Sequence, residues 1–588
     1  MSDGKTRIDP QLYEEFLLEL RALDEFRAQL SARNPAHAVR RDDPDVRRML
    51  EAMAYFTVRS RQQLLHNMQS TWLRLLSDQF EPLMTTLPAM AIAQAVVEPR
   101  RAESTVLPRG TELRIPFPDG HAASFRTLDD LRLLPCSLES VSLLRDAGGA
   151  FYRIALQFSS RFGRTDPVGL LRLHTRIADD YAASARFLYG LRAYIQRVHV
   201  VYDSSLSDHQ VGDACLVSYG DAYPPALGLG SGGPNAGPET THPLLRIRSL
   251  FQFPERELFL NLEVPPVRGN KPWQRFHVYL DLGPDWPVEH IGPDMFQLHA
   301  VPVVNLVREA AVPLLCDGTQ DALPVRHPSP EKGFALHSLR GVYAITDSGL
   351  APLRSSTLPS STTPHSLPFS DHSELPSYQL EERLTPLGPR PSLVIRAPLA
   401  LLSPLQLSVD ATWYQPGLAA QFARYDITPR PQLTGRVLEG VQWSLIGGVR
   451  AETDSPLRNE MSALLRILSM GMRPTLSDAD LRWLMTLLIG SGGPAVFRSM
   501  PSRLENLTCS LSPDSALRGS GTQHVYRARL FVESSESEDE ALVWLFLCRV
   551  LDVLDAWNQD SSVELKVETG DRTLRLPLCI PLSKMRVE

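Results

Sequence analysis

The sequence predicts a multidomain α+β protein in which long N-terminal helices precede several mixed, β-rich domains. Three observations lead to this prediction. The first 95 residues repeat apolar side chains at helical spacing, and from about residue 96 the chain changes to short alternating runs separated by turns. At 588 residues, the chain is also too long to fold around one hydrophobic core.

The N-terminal region is predicted to form two helices, each with one apolar stripe. The first stripe consists of Leu12, Phe16, Leu20, Leu23, Phe26 and Leu30. It stops at Asn34-Pro35, because the residue before a proline is disfavoured in the α conformation. Asp43 as a cap and Pro44 at the first helical position begin the second helix. Its stripe contains Val46, Met49, Leu50, Met53 and Phe56 and continues through Leu64, Leu65, Met68, Trp72, Leu75 and Leu76. Such stripes face either the protein's own core or a partner helix, and their spacing does not decide between the two.

Composition divides the chain into five segments. The predicted segments are an N-terminal helical region at 1–95, a first α+β domain at 96–205, a second β-rich domain at 206–350, a Ser/Thr/Pro-rich connector at 351–391 and a C-terminal α+β domain at 392–588. Near the C-terminus, Val563 to Glu568 alternates cleanly and is predicted to pair with Arg572 to Leu576 across Gly570-Asp571.

Two blocks between His242 and Cys316 predict sheet edges and short connectors. The first alternates through Leu245, Ile247 and Leu250, breaks at Pro254 and resumes from Leu258 to Leu262. The second places Pro302 before an apolar pair, which is followed by an amide at Asn305 and then by Val307 to Leu315.

Charge and composition exclude several classes of protein. The net charge of −7 and the pI near 6.1 give no electrostatic bias toward nucleic acid. Six widely spaced cysteines without a C-x-x-C pair are typical of buried thiols in a reducing compartment. The N-terminus has no secretory signal. The most apolar segment, Ala541 to Leu551, is shorter than the ~20 residues that span a bilayer. These features predict a soluble, cytoplasmic protein without direct membrane insertion.

Motifs for catalysis, metal binding and cofactor binding are absent from the sequence. The chain contains no P-loop, no H-E-x-x-H and no G-x-S-x-G. Gly228-x-Gly230-x-x-Gly233 matches a dinucleotide loop formally, but prolines before and after it favour an ordinary loop. His174, near a predicted strand, is a ligand or a base on one interpretation and a hydrogen-bonded structural histidine on the favoured one. No catalytic residue, metal or cofactor is therefore predicted, and the chain is not expected to be an enzyme.

Several blocks, in the same order, resemble the TssF family, a baseplate subunit of the bacterial type VI secretion system. They are DPDVRRMLEAMAYFTVRSRQQL at 43–64, LPAMAIAQAVV at 87–97 with VLPRGTEL at 106–113, LLRLHTRIADDYAASARFLYGL at 170–191, LLRIRSLFQFPERELFLNL at 244–262, FQLHAVPVVNLVREAAVPLLCDG at 296–318 and GFALHSLRGVYAITDSG at 333–349. The segments at 407–422 and 549–570 and the glycine-rich loop depart from the family pattern, so the chain resembles a divergent member.

The resemblance implies a contractile-tail wedge-like architecture and a structural role. The implied partners are a TssG-like wedge subunit, a second copy of the chain, a TssK-like adaptor, a TssE-like sheath connector and the central spike protein. The wedges form a sixfold ring that anchors the spike and sheath and triggers contraction. The implied location is the bacterial cytoplasm, at a baseplate docked on the inner membrane.

The two N-terminal stripes are the predicted partner-binding site, as part of a helical bundle with partner chains. The residues are Leu12, Phe16, Leu20, Leu23, Met49, Met53, Phe56, Leu64 and Trp72. Two alternatives remain at this point: a wedge subunit of a related contractile injection particle or phage tail, and a carbohydrate-active or other enzyme with acids scattered over its β domains.

Overall fold

The computed structural model of the chain describes residues 10–576, apart from 34–42, 99–100, 102, 146–151, 179, 204–211, 221–242, 270, 288–289, 356–375, 386–387, 397–403, 426–429, 435–437, 456, 458–460, 472, 474, 491, 514–521, 531–539, 559–561 and 570–571. The chain divides into two compact units. The first comprises residues 1–79 with 357–365, and the second comprises residues 80–356 with 366–588.

The secondary structure of the described residues is mixed, with most strands after residue 90. The helices are α1 Pro10–Arg33, α2 Pro44–Met84, α3 Tyr181–Tyr194, α4 Pro243–Gln252, α5 Leu418–Tyr425, α6 Met461–Gly471, α7 Asp478–Ile489, α8 Ala495–Arg498, α9 Met500–Arg503 and α10 Glu540–Trp557. The strands are β1 Met90–Val97, β2 Thr105–Leu107, β3 Glu112–Pro116, β4 Ala122–Thr127, β5 Leu131–Leu133, β6 Ser137–Arg145, β7 Tyr152–Arg164, β8 Gly169–Thr175, β9 Ile195–Tyr202, β10 Asp213–Ala214, β11 Leu216–Tyr219, β12 Phe259–Val264, β13 Trp273–Leu282, β14 Phe296–Leu298, β15 Ala300–Val304, β16 Val307–Ala310, β17 Leu314–Cys316, β18 Leu323–Pro324, β19 Ala335–Thr346, β20 Gly349–Pro352, β21 Arg354–Ser355, β22 Ser377–Thr385, β23 Gly388–Arg396, β24 Leu405–Tyr414, β25 Gln432–Leu433, β26 Val441–Arg450, β27 Leu504–Pro513, β28 Thr522–Leu530, β29 Ser562–Thr569 and β30 Arg572–Leu576. The predicted fold class is confirmed.

The first unit contains α1 and most of α2. The predicted cap of α2 is confirmed: the Asp43 carboxylate accepts a hydrogen bond from the Asp45 amide at 3.0 Å, and Pro44 occupies the first helical position. Glu15 pairs with Arg61 at 3.3 Å, which is the register expected when a short connection folds two helices into an antiparallel hairpin. Ala54 and Val58 are buried in this unit.

The second unit is built from several sheets. Its six-stranded sheet has the order β25-β3-β4-β15-β1-β26, with β1 between two antiparallel neighbours. One apolar cluster includes Ala91, Ala93, Val301 and Val303, and a second cluster includes Ile92 and Val304. Successive side chains of a strand point to opposite faces. Both faces of the sheet centre are therefore covered.

The prediction for the segment after His242 is wrong in its first half. Residues 243–252 form helix α4, whereas the alternation through Leu245 and Ile247 predicted a strand. The adjacent apolar pairs Leu244-Leu245 and Leu250-Phe251 do not follow a strand period, and they suit a helix that is covered on nearly all sides. The strand predicted from Leu258 to Leu262 is confirmed as β12.

Two further predictions concern segments near and within the C-terminal third. The hairpin of residues 563–568 and 572–576 is confirmed, since β29 and β30 pair antiparallel from Leu565↔Leu576 to Thr569↔Arg572. Residues 377–391, within the stretch predicted as a connector, instead belong largely to β22 and β23, which pair with each other. The glycine-rich loop predicted at 227–238 lies outside the described residues.

Candidate assembly interface

The predicted residues of α1 lie on the half-buried side of that helix. Leu12, Phe16, Leu20 and Leu23 recur at helical spacing, and all four are partly buried. Glu15, which pairs with Arg61 of α2, lies next to this stripe. The stripe is therefore partly covered within the hairpin itself and has limited surface left for another chain.

The predicted residues of α2 are exposed. The exposed fractions are 65% for Met49, 51% for Met53, 67% for Phe56 and 61% for Leu64. These four residues are named the α2 stripe from here on. The side chain of Trp72 lies outside the described residues.

The α2 stripe and the buried face of α2 lie on opposite sides of the helix. Ala54 and Val58, which are 0% and 1% exposed, face away from the stripe by roughly 140° at 3.6 residues per turn. The hairpin contacts therefore leave the stripe uncovered. Exposed apolar side chains that follow one another along a helix are typical of a surface that binds another protein.

The C-terminal end of α2 is fixed inside the second unit by polar contacts. Leu83 is buried, and its carbonyl accepts a hydrogen bond from the Ser455 hydroxyl at 2.9 Å. Beyond the helix, Leu87 and Thr453 exchange two backbone hydrogen bonds at 2.9 Å. The helix end is thus attached to the segment that follows β26.

Arg248 of α4 completes this attachment. Its guanidinium donates to the Thr85 carbonyl, to the Thr453 carbonyl at 3.1 Å and to the Asp454 carbonyl at 2.8 Å. The side chain is 1% exposed, and burial lowers its pKa to about 10 although the nearby Asp454 opposes the shift. Sequence analysis missed this residue, because an arginine on a short amphipathic segment is expected to point to solvent.

A buried amide pair connects β4 with the residues that directly follow β15 and β24. The side-chain NH₂ of Asn305 donates to the Ser124 carbonyl at 2.7 Å and to the side-chain oxygen of Gln415 at 3.0 Å. The side-chain oxygen of Asn305 accepts from the backbone N–H of Gln415 at 2.7 Å. Asn305 is completely buried. The amide noted in the sequence is therefore a structural link between β4 and the ends of β15 and β24.

His174 has the surroundings of a structural histidine. Its Nε2 lies 3.2 Å from the Glu255 carbonyl, and its ring packs edge-on against Phe259 at 5.0 Å. Burial lowers its pKa to about 4.

Among the described residues, no cluster of three or more His, Cys, Asp or Glu side chains has the arrangement of a metal site. Within the same residues, no helix is long and apolar enough to cross a membrane.

Helix α2 has an exposed apolar stripe, and its C-terminal end is held by polar contacts. These features are typical of one class of protein, a structural subunit of a larger assembly. Comparison with known proteins specifies the assembly. The family profile of the type VI secretion system protein TssF matches residues 8–366. No curated protein sequence matches the chain.

Two solved structures share the fold. One is a chain of the TssK-TssF-TssG baseplate subcomplex of the type VI secretion system, determined by cryo-electron microscopy; it has a TM-score of 0.70 and 16% identity, over 90% of this chain and 98% of that chain. The other is a chain of the baseplate complex from the type VI secretion system, with a TM-score of 0.58 and 14% identity, over 95% of this chain and 96% of that one. The chain therefore belongs to the TssF family and is a structural subunit of the type VI secretion baseplate wedge.

Proposed function

We propose that this chain joins a TssG-like wedge subunit and a second copy of itself through a helical bundle that covers the α2 stripe. The observation that carries the proposal is the exposure of Met49, Met53, Phe56 and Leu64 on the side of α2 that faces away from the hairpin contacts. The half-buried residues of α1, from Leu12 to Leu23, would lie on the inner side of the same bundle.

The size of the stripe is adequate for a contribution to a bundle. Full burial of a large apolar side chain stabilises by about 1.5–3 kcal/mol, so four such side chains contribute on the order of 6–12 kcal/mol before losses. Association itself costs about 4–15 kcal/mol, and further contacts are therefore needed for a stable complex. A bundle of several helices from more than one chain supplies such contacts.

The family and the matched complexes support a wider proposal. The subcomplex with the more similar fold contains TssK and TssG, which supports a TssK-like adaptor and a TssG-like subunit as partners here. We extend the proposal to a TssE-like sheath connector and the spike protein, in a sixfold ring that anchors spike and sheath and triggers contraction. The place of action is the bacterial cytoplasm, at a baseplate docked on the inner membrane. The role is structural, without catalysis or a cofactor.

Acidic substitution of the α2 stripe tests the proposal. In the double variant Met53→Glu/Phe56→Glu, two carboxylates would have to enter an apolar interface, and we expect copurification with the TssG-like partner to be lost. Tyr55→Glu is the matched control, since Tyr55 is 42% exposed on the same helix but lies outside the stripe. We expect Tyr55→Glu to copurify normally.

Circular dichroism and thermal melting establish that both variants are folded. Normal copurification of the folded double variant would show that the stripe is not the partner-binding surface. Loss of copurification in both variants would point to a general weakening of α2 instead.

A further inference from the structure

A cleft in the second unit is separate from the α2 stripe and has a distinct chemistry. It is lined mainly by α3 and α10, with Arg246 of α4 and Tyr219 of β11 at its sides, and its volume is ≈ 300 Å³. These elements come from three distant parts of the sequence, so the cleft forms only in the folded chain.

Three arginines line this cleft, and two carboxylates oppose them. The carboxylates belong to Glu257 and Asp552. Both form ion pairs with Arg549, the one to Asp552 at 2.5 Å. Arg192 and Arg246 have no carboxylate partner among the described residues. Among the lining residues that the structure describes, three arginines therefore face two carboxylates, which leaves a surplus of positive charge.

The two arginines differ in how their surroundings hold them. The Arg192 guanidinium lies 4.6 Å from the ring centroid of Trp544 and 5.7 Å from that of Tyr219, within range of cation–π attraction. The Nε atom of Arg246 is buried without a hydrogen-bond partner in the described structure. The Arg192 guanidinium is thus held at the wall of the cleft, and Arg246 presents a buried N–H group that a ligand acceptor could satisfy.

The remaining wall is aromatic and uncharged. Tyr181, Tyr189, Tyr219 and Trp544 all contribute to the lining. Burial raises the pKa of Tyr181 well above its usual value, and the neighbouring Glu257 acts in the same direction, so its hydroxyl remains protonated. A ligand that suits this cleft has an anionic head and a short apolar stem, which describes a glutamate side chain.

We propose that the cleft binds a carboxylate side chain of an acidic segment on a partner protein. The inference rests on the proposed role as an assembly subunit, because that role supplies protein partners. The overall charge of −7 repels acidic peptides from the rest of the surface. Binding of an acidic segment therefore requires a local site of opposite charge, such as the cleft.

A labelled hexaglutamate peptide is the probe, and binding to the full chain is followed by fluorescence anisotropy at low salt. A charge-assisted hydrogen bond to a carboxylate is strong enough that we expect Arg246→Gln and Arg192→Gln each to weaken binding by about tenfold or more. Arg145→Gln is the matched control, since Arg145 lies 5.5 Å from the ring centroid of Tyr152, outside the cleft. We expect this control to bind as the unchanged chain does.

Further measurements separate charge from packing. Arg192→Lys keeps the charge and is expected to recover most of the affinity that Arg192→Gln loses. Equal loss in both variants would overturn the role of the charge. The comparison of Arg192→Lys with Arg192→Gln tests the contribution of charge to binding even where thermal melting shows that Arg246→Gln has not folded.

Three outcomes would overturn the proposal. The first is no binding of hexaglutamate to the unchanged chain, and the second is equal weakening of binding by Arg145→Gln. The third is displacement of the peptide by inorganic phosphate at equal concentration, which would indicate a site for small anions only. Copurification with the TssG-like partner is measured on the same variants. We expect it to persist, because the α2 stripe is unchanged; failure of the cleft proposal is therefore distinguishable from failure of the proposed function.

Discussion

Replacement of Arg248 by methionine tests how the end of α2 is attached to the second unit. Methionine retains much of the apolar volume but removes the three hydrogen bonds to the carbonyls of Thr85, Thr453 and Asp454. A hydrogen bond from a charged donor contributes about 1.5–3 kcal/mol, so the gross loss is at least about 4.5 kcal/mol. Part of this loss is offset, because a buried guanidinium no longer has to be desolvated. The expected net destabilisation is roughly 3 kcal/mol.

Native-state hydrogen exchange measures this effect locally. The backbone amides of Leu87 and Thr453 report on the two hydrogen bonds beside Arg248. A loss of roughly 3 kcal/mol corresponds to about a hundredfold faster exchange through local opening. Arg268→Met is the control, because Arg268 is a highly exposed partner of Asp213, and exposed ion pairs contribute at most about 1 kcal/mol. Exchange within about fivefold of the unchanged chain in Arg248→Met would refute the view that Arg248 holds this junction.

Two further predictions concern buried polar groups of the second unit. Asn305→Leu removes three hydrogen bonds and leaves the buried Gln415 side chain with fewer partners. We therefore expect the free energy of unfolding to fall by about 2–4 kcal/mol, which lowers the urea midpoint. An unchanged midpoint would contradict the role of the pair. His174 and His299, which are almost fully buried, have pKa values lowered by burial to about 4, from 6.5 when unfolded. Only the unfolded state binds protons between these values, so stability is fully present above pH 6.5 and falls toward pH 4, by on the order of 3 kcal/mol for each histidine. Urea unfolding at pH 7 and pH 5 should show this decrease in the free energy of unfolding, and the decrease should be smaller in a His299→Gln variant. Equal stability at the two pH values would contradict the lowered pKa values of these histidines.

Local signals in the sequence predicted the parts of the fold that local chemistry determines. Asp43 and Pro44 place the start of α2, and alternating residues on either side of Gly570-Asp571 place the last hairpin. Each depends on residues that are close together in the chain. The apolar stripe of α2 was predicted for the same reason, although the sequence left open whether it faces the protein's own core or a partner helix.

The features that sequence analysis missed depend on residues that are distant in the chain. Arg248 is buried because carbonyls more than 150 residues away surround its guanidinium. Helix α4 resembled a strand because Leu245 and Ile247 alternate with polar residues, and a ten-residue segment is too short for such alternation to separate strand from helix. The cleft combines Arg192, Arg246 and Arg549, none of which is near another in the sequence. Such groupings follow from tertiary structure and leave no motif.

Helix α2 is followed after only a few residues by β1, which lies between β15 and β26 in the six-stranded sheet. Tension transmitted through the end of α2 would therefore reach a central strand of this sheet. Antiparallel neighbours hold this strand on both sides, from Met90↔Val304 to Gln94↔Ala300 on one side and from Ile92↔Ile446 to Val97↔Val441 on the other. A strand at the edge of the sheet, paired on one side only, would unzip more readily. The order of strands thus gives the base of the long helix a high resistance to extraction by force.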